Sequence, residues 1–133
     1  MAKCFLSCLL LVGMGQVAYA AEWKPYAWGP SGDIAYLDMS SIKASGNKRT
    51  AWSKLEYKTA IKYEGHLLSK YVAHIEVSCD GRTARRISEV GYQADGAVLY
   101  EFAAIEHSSP VPPETMGEMR LQAICKAPLR KRQ

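Results

Sequence analysis

Histidine is scarce in this chain of 133 residues. His66, His74 and His107 are widely spaced and show no metal-ligand pattern; on a strand, His74 reads as a packed or hydrogen-bonded side chain. No Gly-x-Ser-x-Gly occurs, so Ser108-Ser109 has no nucleophile-elbow context. A glycine-rich phosphate loop is missing too. Glu101 and Glu106 are the one pair of carboxylates that invites an acid–base reading, and near a sheet edge they read as solvated. Internal repeats and low-complexity segments are absent, which excludes solenoids and arrays. Net charge is only +4, from 17 Lys and Arg against 13 Asp and Glu, without the clustered basic stripe of nucleic-acid binders. These absences lead to the expectation of a chain that is not an enzyme, holds no cofactor or metal, and does not bind nucleic acid.

Long apolar runs are also few. Phe5 to Val12, broken by Ser7, falls short of the roughly 20 residues that span a bilayer. With Lys3 before it and Ala18-Tyr19-Ala20 after it, the run reads as a secretory leader over residues 1–20, cut before Ala21. Leu6-Ser7-Cys8 loosely resembles a lipid-attachment site, but Cys8 precedes the end of the apolar run. Cleavage removes Cys4 and Cys8 and leaves no transmembrane segment. Two cysteines remain, Cys79 and Cys125, and an even count in an exported chain reads as one disulfide in an oxidising compartment. The expected location is periplasmic or secreted, with the cell surface as a further destination.

What is present is strand periodicity. In Tyr71-Val72-Ala73-His74-Ile75-Glu76-Val77-Ser78-Cys79 the apolar residues recur at every second position, the pattern of a half-buried strand. Ile34 to Asp38 reads as a short strand, followed by a turn over Asp38 to Ile42. A second long strand runs over Lys48 to Lys58, with loops at Ala44 to Asn47 and Thr59 to His66. Trp23 to Trp28, around Pro25, fits an irregular edge strand. Asp80-Gly81 and Asp95-Gly96 are two-residue hairpin signals that ask for positive φ at both residues. They join the central strand to Arg82–Gln93 and then to Ala97–Ala103 in an antiparallel meander. The first turn predicts a register in which Cys79 opposes Arg82 and Glu76 opposes Arg85.

Pro110-Val111-Pro112-Pro113 ends the sheet pattern. Thr115-Met116-Gly117-Glu118 then predicts a capping box in which the Glu118 carboxylate reaches back to the Thr115 N–H. The helix should run from Met116 to about Lys126, ended by Pro128. Gly117, Leu121, Ile124 and Cys125 form the stripe that faces the sheet. The expected fold is therefore α+β: an antiparallel meander of about six strands with one C-terminal helix packed on it and disulfide-linked through Cys79 and Cys125. The domain should cover residues 21–127, with a basic tail over 128–133. A helix this short does not persist alone, so loss of the disulfide should release it first.

Contact surfaces are the remaining functional candidates. Arg82, Arg85 and Arg86 cluster after the first Asp-Gly turn and suit acidic groups, against the plainer reading of a solvated strand paired with Glu76 and Glu89. Met116 and Met119 form a second helix stripe for a partner or a second copy, or are covered by the proline loop. An unpaired sheet edge offers β-augmentation or a homodimer.

Taken in order, Ile34–Ile42, Trp52–Tyr57, Ser69–Asp80, and Pro110–Thr115 with the helix to Lys126 resemble the surface-adhesin protein E family of Gram-negative bacteria. The resemblance covers nearly all of the chain after the leader. It implies an antiparallel sheet with a C-terminal helix, and a non-catalytic exported module that binds host-matrix or other extracellular proteins. A soluble periplasmic partner protein, such as an inhibitor or an envelope-complex subunit, is the alternative. The family's adhesin carries a lipid-attachment cysteine that this chain lacks in convincing form, and none of its binding residues transfers to a position here.

Overall fold

The computed structural model describes residues 20–130. The expected leader, its cleavage site apart, and the last three residues of the basic tail lie outside the described residues. Strands β1 (Trp23–Trp28), β2 (Ile34–Asp38), β3 (Lys43–Ser45), β4 (Lys48–Tyr63), β5 (His66–Ser78), β6 (Thr83–Tyr92), β7 (Val98–Phe102) and β8 (Ser109–Pro110) precede helix α1 (Met116–Lys126). The sheet runs β1-β2-β4-β5-β6-β7, with the short β3 and β8 added beside β4 and β6. Every pair is antiparallel. The main path is thus the expected six-stranded meander, closed by the expected helix.

The alternation in β5 fixes the two faces. Ala73, Ile75 and Val77 are buried and meet Leu37, Ile42 and Ala51 of the sheet and its turn, and Leu121, Ile124 and Ala127 of the helical end. This face, called inner below, carries the core. Cys79 and Cys125 join the sheet to the helix as a disulfide, with Cα atoms 5.8 Å apart. At the other end of the tether, Thr115 Oγ1 accepts from Glu118 N–H as a cap should. The Glu118 carboxylate departs from expectation: it accepts from Glu114 N–H at 2.8 Å, not from Thr115, because Glu114 is left-handed (φ 59°) and aims its amide at the first turn. The same carboxylate pairs with Arg82.

The expected register after Cys79 is present: Ser78 opposes Thr83 and Glu76 opposes Arg85. The turn inside it is different. Cys79 to Arg82 form a four-residue loop, and the left-handed residue is Arg82 (φ 51°), not Asp80 or Gly81. Ser78 Oγ accepts from Gly81 N–H and fills the space a Cβ there would need. At Asp95-Gly96 only Gly96 is left-handed (φ 88°). Gly96 N–H donates to Gln93 C=O and Gln93 N–H to Ala97 C=O, which is a type I turn followed by a glycine bulge.

Two segments read as loops are strands. Ala44 and Ser45 pair with β4, leaving only Gly46-Asn47 as the turn. Thr59 to Tyr63 continues β4 beyond an irregularity after Glu56, and Tyr63 opposes His66 across Glu64-Gly65. Both turn residues there have positive φ, 46° and 79°, so the two-residue turn of the type expected at Asp80-Gly81 occurs here instead. Asp38 closes the β2 end, accepting from Glu22 N–H and Ser40 N–H. No helix among the described residues is long and apolar enough to cross a membrane.

Candidate functional site

Helix α1 does not cover the whole inner face. It packs over β1, β2 and β4 and shares the core with Ala73, Ile75 and Val77 of β5, so it is the β6–β7 side of that face that stays open next to the helix. Cross-strand partners share a face, so its contents follow from register. Ala51, Ile75 and Arg86 lie in one row, and Ser53, Ala73, Glu89 and Phe102 in the next. Leu55, Tyr71, Gly91 and Tyr100 form the third. The rows start apolar under the helix and end in arginine, glutamate and aromatics beyond it.

Gly91 shapes this surface. A Cβ there would come within 2.3 Å of the Tyr100 ring, so the missing side chain is what lets that ring lie on the strand. From this seat the Tyr100 hydroxyl donates to Glu89 at 2.8 Å. Burial, then this bond and the charge of Glu89, push the phenol's pKa up. Tyr63 and Phe102 flank Tyr100 with ring centroids at 4.8 and 4.6 Å. The Arg86 guanidinium lies over Phe102 at 4.8 Å and reaches Glu89 at 3.5 Å.

Between α1 and this floor is a groove of about 270 Å³, with Tyr71, Ile75, Arg86, Glu89 and Arg120 among its lining residues. It meets a smaller cleft of about 140 Å³ at the start of the helix, where Tyr26, Met116 and Gly117 join Tyr71 and Arg120. Burial raises the Tyr26 phenol to about 12, with Arg120 acting in the opposite direction. Tyr71 is raised in the same way, again with Arg120 opposing.

The residues singled out from sequence are spread over this geometry. Arg85 and Arg86 border the groove and Met116 lines its cleft. Arg82 sits at the hairpin turn, paired with Glu118. The Arg85 guanidinium donates to Glu76 through Nε at 2.8 Å, in the register row of the face opposite to Ile75. Met119 is 47% exposed on the helix. The three arginines therefore do not form one patch. His74 stacks on Trp52 at 4.7 Å, a packing role. Among the described residues, no group of three or more His, Cys, Asp and Glu side chains gathers as a metal site would require.

Arg120, Tyr100 and Gly91 were not candidates from sequence. Their importance depends on the helix stopping short of β6, which no local pattern encodes. The one available signal was Gly91 within a strand run, a mark of close backbone or side-chain approach.

A six-stranded meander with a single helix packed across part of one face is a sheet-and-helix module. The surface-adhesin protein E family profile matches residues 23–126, and the chain belongs to that family. It is accordingly a non-catalytic module. The solved structure of Haemophilus influenzae protein E in its second crystal form is similar at a TM-score of 0.54 and 13% identity, over 68% of this chain and 79% of that one. A further structure of Haemophilus influenzae protein E gives a TM-score of 0.49 and 14% identity, over 68% and 76%. At 13% identity the first likeness is one of fold. Among curated proteins, none matches.

Proposed function

We propose that this chain is an exported protein-binding module and that its contact surface is the uncovered half of the inner face. One observation carries this reading: Arg86, which lines an open groove beside α1, lies against Phe102, and Phe102 stacks on Tyr100, so that the two rings border the groove. Tyrosine, phenylalanine and arginine are enriched where proteins meet, because each combines large contact area with few rotamers or with directed donors. Phe102 is 38% exposed, so its ring still offers apolar area beside the Arg86 guanidinium and the Tyr100 ring. Family membership supports adhesion to host-matrix or other extracellular proteins. A leader over residues 1–20 supports export, to the periplasm or beyond.

Capture tests this reading. The protein without residues 1–20 is immobilised and exposed separately to purified extracellular-matrix proteins and to envelope extract. Retention of a matrix protein, lost on Tyr100→Ser with Phe102→Ser while far-UV circular dichroism is unchanged, is the expected result. Retention of an envelope protein alone places the module in the periplasm as a partner protein. Retention that survives the double substitution contradicts the proposed surface.

A further inference from the structure

We propose that the groove between α1 and β5–β6 binds a carboxylate, and that its ligand is an acidic side chain on an extended segment of the bound protein. This rests on the reading of the open inner face as the contact surface and names the chemistry recognised there.

The groove is bordered by three arginines, Arg85, Arg86 and Arg120, against one carboxylate, Glu89. The Arg85 guanidinium is spent on Glu76 of the opposite face, through Nε and Nη2, which leaves Arg86 and Arg120. Glu89 is already engaged, 3.5 Å from Arg86 through Oε2 and bonded to the Tyr100 hydroxyl through Oε1. No carboxylate among the described residues lies within ion-pair reach of Arg120. One positive charge is therefore unmatched in a partly enclosed site. Its field is felt there: it opposes the rise that burial imposes on the Tyr26 and Tyr71 phenols.

Hydrogen bonding points the same way. The Nε atoms of Arg86 and Arg120 are both buried, and both lack an acceptor. A buried donor on a charged group is costly to leave unmade, so an acceptor from outside completes the site. The Nε–H lies on the edge of the guanidinium that meets a carboxylate through two parallel bonds. A carboxylate brings a single negative charge, which balances the single unmatched positive one. A phosphate dianion brings twice the charge toward Glu89 and is disfavoured by it. Tyr71, Ile75 and Ala84 supply apolar wall for the stem of a Glu or Asp side chain. Phe102 and Tyr100 lie beside the groove, where they meet apolar neighbours of that residue on the same segment.

The test uses protein lacking residues 1–20 and a matched pair of blocked pentapeptides, Gly-Phe-Glu-Phe-Gly and Gly-Phe-Gln-Phe-Gly, with sodium phosphate as a third probe. NMR of the arginine Nε–H resonances reports binding. The Glu peptide should shift the Arg86 and Arg120 signals and bind about ten-fold or more tightly than the Gln peptide, the return of one charge-assisted pair. Phosphate at equal concentration should leave them in place. Arg120→Gln should abolish the preference for Glu while the backbone spectrum stays dispersed. Equal binding of the two peptides, a phosphate response equal to that of the Glu peptide, or a preference that survives Arg120→Gln overturns the proposal. Failure here is separable from failure of the protein-binding reading. If Arg120→Gln keeps full capture of a protein that Phe102→Ser loses, the carboxylate site alone is refuted.

Discussion

The Arg49 guanidinium reaches across the inner face and donates to the Ile124 carbonyl at 2.8 Å. The same Nη1 donates to the Ala127 carbonyl, also at 2.8 Å. The last carbonyls of a helix have no partner within it and carry the negative end of its dipole, so a strand side chain performs the C-terminal capping of α1. Removing the guanidinium leaves those acceptors unmet. Arg49→Gln should lower stability by about 1.5–3 kcal/mol, the range for hydrogen bonds to charged groups. A urea midpoint unchanged from wild type would show that water replaces Arg49 without loss.

This capping revises how the helix depends on its disulfide. From sequence alone, α1 is an appendage released when the Cys79–Cys125 bond is cut. The packing says otherwise: the main core cluster has Leu121, Ile124 and Ala127 on one side and Leu37, Ala51, Ile75 and Val77 on the other. Releasing the helix would expose both. The bond closes a separation of 46 residues, and its loss should cost roughly 4 kcal/mol in the chain-entropy account. With Cys79→Ser and Cys125→Ser together, amides of Met116 to Lys126 and of Tyr71 to Val77 should exchange at a common, faster rate. Loss of protection in the helix alone would restore the appendage.

Stability should fall with acid in two stages. Burial and then the charge of Lys43 hold His74 below its ordinary 6.5, so the folded chain binds this proton later than the unfolded one does. Its contribution is full above 6.5 and is lost as the pH falls through the lower folded value. Glu76 is held below its ordinary 4.5, first by the hydrogen bond from Arg85. Glu118 is held down too, first by the Glu114 N–H. Both contributions are present above 4.5 and are lost as the pH falls through the depressed values. Denaturation midpoints measured from pH 8 to 3 should show both stages, with His74→Gln flattening the first. Glu76→Gln should flatten the second and cost about 0.2–1 kcal/mol at neutral pH, as expected for a cross-strand charge pair. A profile that Glu76→Gln leaves unaltered would show that the Arg85 pair adds nothing.

Gly91→Ala should displace the Tyr100 ring and break its bond to Glu89, costing about 1–3 kcal/mol as overpacking does. Tyr100→Ala removes the obstacle, so Gly91→Ala should cost much less in that background. Additive costs would mean that Gly91 is needed for some reason other than the ring.

The legible parts of the fold are those where a strand or helix faces the core. Tyr71–Cys79 declares its inner face by alternation, and Thr115 and Pro128 bracket α1. Thr59 to Tyr63 was not legible because that end of the β4–β5 hairpin lies beyond the reach of the helix. With no core to face, it shows no apolar period. The turn types were missed because left-handed residues fall on Glu64, Arg82 and Glu114, types that carry no turn signal. The proposed contact surface was half legible. Arg86 stands in a basic cluster, but Arg120 is one polar residue on a short helix. Only the tertiary fold places the two in one groove.

Site-directed photocross-linking tests the contact surface most directly. A benzophenone amino acid is placed at position 102, on the open inner face, and separately at position 72, in the opposite face's register row. Each protein is then irradiated with the matrix or envelope protein that the wild type retains. The account predicts an adduct from position 102 and none from position 72. An adduct from position 72 alone, or equal yields from both, would contradict it.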